Sequence, residues 1–63
     1  MIAKVVQSGE PWPVDPGLKR FRIEADGAHV RFLVAAQQEE AEALYREVAG
    51  LDSDAVLLVI PVG

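Results

Sequence analysis

The sequence predicts an α+β domain: a four-stranded, mainly antiparallel sheet in the order β-loop-β-β-α-β, with one amphipathic helix packed on one face. Three observations predict it. Two alternating segments flank the pair Asp26-Gly27, the stretch 37–49 carries apolar residues at helical spacing, and an unbroken apolar run, 55–60, follows that stretch.

Residues 2–7 (Ile-Ala-Lys-Val-Val-Gln) are rich in β-branched side chains and read as a short first strand, stopped by Ser8-Gly9. Residues 8–18 form a Pro/Trp-rich loop. Three of the four prolines lie here around the single Trp12, and each fixes φ and removes a backbone donor, so the segment is no ladder strand. Asp15-Pro16-Gly17 is a turn signal. A loop this long in a small domain is expected to do something beyond connecting.

Residues 19–26 alternate, with Phe21, Ile23 and Ala25 on one face and Arg20, Arg22 and Glu24 on the other. Residues 28–36 alternate again, Val30, Phe32 and Val34 against His29, Arg31 and Leu33. Asp26-Gly27 suits a two-residue type I′ turn. That turn would set Glu24 opposite His29, Arg22 opposite Arg31 and Phe21 opposite Phe32, gathering the large apolar residues on one face.

In the helix, Ala41, Leu44, Tyr45 and Val48 form one apolar stripe. Glu39 and Glu40 sit in the first turn, where the helix dipole favours them, and Glu42 and Arg46 are an i,i+4 pair. Gly50 suits the position just past the helix, with Leu51 folding back. Residues 55–60 are apolar on both faces, the pattern of a strand covered on both sides, and Pro61 is expected to end its pairing.

With 63 residues the chain makes one domain, 1–63. A chain this short buries only about 60% of its unfolded surface, and such domains usually need a disulfide, a metal or oligomerisation. There is no cysteine and a single histidine, so thiolate metal sites and disulfides are excluded and a zinc site is not expected. Self-association is the aid left. No run reaches the length of a membrane helix and no signal-peptide pattern opens the chain, so a cytoplasmic protein is expected. Absence of Asn, Thr and Cys, with four Arg to two Lys, fits a thermophilic or GC-rich source.

The net charge of −4 argues against nucleic-acid binding by the whole surface. The charge is unevenly placed: +1 through Phe32 and −5 from Leu33 onward. Three surfaces could carry function. Leu57 and Val59 point opposite to Leu58 and Ile60, so one set needs a cover other than the helix; with Trp12, held between Pro11 and Pro13, these are the candidate interface residues. Arg20, Arg22 and Arg31 share the polar hairpin face and could bind an anion or an acidic partner. Aromatics between the cations would point to single-stranded nucleic acid, but the expected register puts Phe21 and Phe32 on the other face. The acidic set Glu39, Glu40, Glu42, Glu47, Asp52 and Asp54 could mimic phosphates or simply be a solvated helix side.

Catalysis has little to work with. His29 is the only imidazole, Ser8 and Ser53 are not placed near it, and there is no glycine-rich phosphate loop or EF-hand spacing. No catalytic, metal or cofactor residue is expected, and no cofactor. The reading is a non-enzymatic module that self-associates, most simply as a homodimer. The first alternative is a small protein inhibitor acting through the Pro-Trp loop or the acidic helix side. The β-β-β-α-β order is similar to that of small bacterial antitoxins of the partial ribonuclease-H type, a likeness of element order without a shared motif, and it implies such a binding role. The second alternative is nucleic-acid or anion binding through the arginine face.

Overall fold

The computed structural model of the chain describes residues 3–7, 9, 11–12 and 17–62. Strand β1 is Ala3–Val6, β2 is Lys19–Glu24, β3 is Arg31–Ala35, helix α1 is Gln38–Ala49 and β4 is Leu58–Val62. All pairings are antiparallel and the spatial order is β1-β3-β2-β4. The expected strand residue Ile2, Ser8 of the expected strand stop, and the loop residues 10 and 13–16, with Asp15 and Pro16 of the predicted Asp15-Pro16-Gly17 turn, lie outside the described residues.

The two alternating segments do form a hairpin, but one residue out of the expected register. Phe21 pairs with Leu33, Arg22 with Phe32 and Ile23 with Arg31. The cause is the turn. A type I′ turn needs positive φ at both Asp26 and Gly27. In the structure only Gly27 takes positive φ, +78°, and the Ala28 N–H donates to the Ala25 carbonyl at 3.1 Å. The loop gains one residue. Because side chains alternate with period two, the slip inverts every β3 side chain relative to β2. Leu33 and Ala35 therefore join Phe21 and Ile23 beneath the helix, while Phe32 and Val34 go to the other face.

The core lies between this face and α1. Phe21, Ile23, Leu33, Ala35, Ala41 and Tyr45 are buried together, flanked by Ala3, Val5, Leu44, Leu57 and Val59. Full burial of a Leu or Ile side chain contributes about 1.5–3 kcal/mol. The helical stripe turns slightly from its expected position: Ala41 and Tyr45 are buried and Ala49 packs on the core, whereas Val48 is exposed. Tyr45 carries its hydroxyl into this apolar layer and donates to the His29 carbonyl at 2.7 Å, tying the helix to the far end of the hairpin. A buried phenol needs such a partner.

Helix α1 stops as its sequence dictates. Gly50 takes the left-handed conformation (φ 69°, ψ 32°). Its N–H donates to Glu47 O at 3.3 Å, and the Leu51 N–H donates to Arg46 O at 2.8 Å, the paired bonds of a Schellman motif. Gln37 precedes the helix in extended conformation without a side-chain cap, and Glu39 and Glu40 face the positive end of the dipole. Arg46 leaves the last turn to donate from Nη2 to the Ala55 carbonyl at 3.1 Å, with Glu42 3.8 Å from Nη1. That contact anchors the chain leading into β4.

Two expectations about the last strand are corrected. It runs 58–62 and includes Pro61, paired with Phe21. Proline is tolerated because β4 is an edge strand, where its missing N–H can face away from the ladder. And the apolar run is not covered on both faces. The helix packs on β1, β3 and β2, leaving β4 beside it at the sheet margin. Leu57 and Val59 turn toward the core, while Leu58 and Ile60 turn away from the helix.

Candidate functional site

The sheet face without a helix is built from cross-strand rows. One row is Lys4, Val34, Arg20 and Val62; the next is Val6, Phe32, Arg22 and Ile60; a third begins with Glu24 and Leu58. The face therefore mixes aliphatic, aromatic and cationic side chains, with Glu24 as the acid in these rows.

Trp12 lies over it. Its ring meets Phe32 edge-to-face, with centroids 5.9 Å apart and planes at 86°, and the Arg20 guanidinium carbon stands 5.4 Å from the Trp12 ring centroid. These are the separations of a T-shaped aromatic pair and a cation–π contact. Arg20 neighbours Val34 and Phe32 neighbours Val6 across the strands. Val34 and Val6 are buried although no helix covers them. Trp12 is thus a partial lid. Beyond it a cleft of about 620 Å³ opens, bordered by Trp12, Phe32, Val30, Val6 and Val62.

The lid does not reach the β4 side. Val56 is 86% exposed, Leu58 53% and Ile60 42%. Arg22, cross-strand from Ile60, bridges Glu24, cross-strand from Leu58, at 3.5 Å. The strip around Leu58 and Ile60 is therefore apolar and locally neutral.

Of the residues singled out from sequence, the structure brings Trp12, Arg20 and Arg22 to one face with Leu58 and Ile60. Arg31 pairs with Ile23 and not with Arg22, so the expected Arg22–Arg31 repulsion does not arise, and it borders the cleft beside Trp12. Leu57 and Val59 serve the core. A two-residue turn puts Phe32 in the core, whereas in the structure it stands 40% exposed on the open face. The signal that could have found it is the hydroxyl of Tyr45, which needs a polar partner in the core and finds one in the longer hairpin loop.

Glu24 turns to Arg22, and the exposed His29 uses its backbone carbonyl to accept from Tyr45. Among the described residues no three His, Cys, Asp or Glu side chains gather as metal ligands, and no helix is long and apolar enough to cross a membrane. No protein-family model matches the chain, and no curated protein or solved structure is similar enough to register.

Proposed function

We propose that this chain is a non-enzymatic interaction module that self-associates as a homodimer through β4 and the neutral strip beside it. The observation that carries this reading is the position of the most apolar segment at the sheet edge, with Val56 and Leu58 more than half exposed and Ile60 partly so. An exposed apolar edge strand is a pairing site that solitary proteins blunt with charge or cover. Here the nearest charges, Arg22 and Glu24, neutralise one another, so two copies can meet without like-charge repulsion.

Pro61 shapes the mode of contact. It interrupts any continuous backbone ladder along the outer edge, which favours packing of Leu58 and Ile60 against their counterparts over extension of the sheet. Light scattering after size exclusion, across a concentration series, tests the reading. A mass of two chains that falls to one in Ile60→Lys supports it; a single-chain mass at high micromolar concentration refutes it.

A further inference from the structure

The open face carries charge in a set order along β2. Arg20, Arg22 and Glu24 occupy alternate positions of that strand. Their cross-strand neighbours are Val34 and Val62, Phe32 and Ile60, and Leu58, so all three belong to the face without a helix. Ala25 still packs toward the core, and Asp26 follows it, exposed, at the hairpin end. Along the strand the charges run plus, plus, minus, minus. We propose that this order makes the face self-recognising: its partner is a second copy of the chain, packed sheet to sheet with its β2 antiparallel. That orientation rests on the self-association proposed above and names the residues that select the partner.

A two-fold axis across the strands, at the level of Ile23, fixes the contacts. It sets Arg22 over the other copy's Glu24, and Glu24 over the other copy's Arg22, because two-fold contacts are reciprocal. Arg20 then meets the other copy's Asp26. The same axis brings Leu58 against Ile60, since these neighbour Glu24 and Arg22 across the strands. A two-fold axis along the strands would stack each charge on itself, which is repulsive. Packed sheets lie about 10 Å apart and are turned by about 30°, so the register is kept best nearest the axis, at Arg22 and Glu24.

The ends of the series decide for this partner. Arg20 stacks on Trp12 at 5.4 Å, and neither Arg20 nor Asp26 makes an ion pair among the described residues. Arg22 and Glu24 already pair within the chain at 3.5 Å. An antiparallel copy leaves that pair intact and joins two such pairs into a ring of alternating charges, a network instead of an isolated ion pair. It also supplies each end of the series with the opposite charge. A wholly anionic or wholly cationic partner would satisfy one end and repel the other. Trp12 lies at the Arg20 end, so the two indoles stand at opposite ends of the contact and leave Leu58 and Ile60 free to meet between them.

Charge reversal tests the order. Arg22→Glu makes the series plus, minus, minus, minus, and Glu24→Arg makes it plus, plus, plus, minus. Each alone sets like charges face to face twice over, so its homodimer should weaken at least about 10-fold in dissociation constant, read by analytical ultracentrifugation. Mixed, the two proteins are complementary at every position and should form a heterodimer at least about 10-fold tighter than either homodimer, seen by native mass spectrometry. Mixing cannot restore the ion pair within either chain, so the heterodimer reports on the contact between copies. The double variant, Arg22→Glu with Glu24→Arg, should again form a homodimer. Both residues are partly exposed, and circular dichroism should show the parent's fold in every variant. Asp26→Lys, at an exposed turn position, leaves the Arg22–Glu24 pair in place and should weaken the homodimer at least about 5-fold.

A parent dimer whose folded charge-reversed variants dimerise as tightly as it does, or give no heterodimer when mixed, overturns this orientation and leaves self-association through β4 standing. A folded Asp26→Lys protein that dimerises like the parent overturns it too. A parent that stays a single chain at high micromolar concentration removes self-association itself, and this orientation with it.

Discussion

Replacing Tyr45 by Phe removes one oxygen and nothing else from the core, and so isolates the bond that ties α1 to the hairpin. Tyr45 is fully buried and donates to the His29 carbonyl at 2.7 Å. A hydrogen bond of this kind contributes about 0.5–1.5 kcal/mol net, and stranding its acceptor out of reach of water costs more. His29 is exposed, so water can take over its carbonyl once the hydroxyl has gone, which keeps the expected loss near about 1 kcal/mol. For a domain of this size that corresponds to a fall in melting temperature of about 4–8 °C. Urea unfolding followed by far-ultraviolet circular dichroism and by Trp12 fluorescence should show a lower midpoint at unchanged slope, about 1 M for a small domain. Both proteins must be compared at one concentration, because the proposed self-association would make stability depend on it. A midpoint indistinguishable from the parent would mean that the Tyr45 hydroxyl does not secure the helix to the hairpin.

The register itself is open to a paired test. Leu33→Ala should destabilise by about 2–5 kcal/mol, as a fully buried leucine does, whereas the half-exposed Phe32→Ala should cost clearly less; the reverse order in chemical denaturation would restore the two-residue turn. Gly50→Ala meets no atom within 4 Å of the new Cβ, so its cost is backbone strain alone. About 1 kcal/mol is expected by thermal denaturation, with Gly50→Asn milder, and no loss would show that the left-handed end of α1 is dispensable.

The fold class was legible because its signals are strong and independent. The helix lies almost where the stripe through Ala41, Leu44 and Tyr45 places it, and Gly50 closes it as its conformational freedom allows. The hairpin was legible as a hairpin but not in register. Both β2 and β3 alternate, and the choice between Phe32 and Leu33 for the core rests on whether the loop has two residues or three, which the pair Asp26-Gly27 does not reveal. The place of β4 in the sheet is hidden in the sequence for a different reason. An unbroken apolar run matches a doubly covered strand, but composition says nothing about which neighbour a strand takes, and pairing with β2 places it beyond the helix. The candidate site inherits both effects. Leu58 and Ile60 were identified with their exposure unresolved, Arg20 and Arg22 were placed together correctly, and the aromatic half of the face came into view only once the inverted β3 was seen.

The central claim, that β4 is an interface between two copies, is tested most directly by the solution mass of the parent and of Ile60→Lys, measured by light scattering over a concentration range. Ile60 is about half exposed in the single chain, so its further burial in a dimer contributes about 1 kcal/mol per copy, and a charge placed there costs more than that gain. The account predicts two chains per particle for the parent and one for Ile60→Lys, with both proteins folded. A parent that stays a single chain at high micromolar concentration, or an Ile60→Lys protein that dimerises as well as the parent, would contradict it.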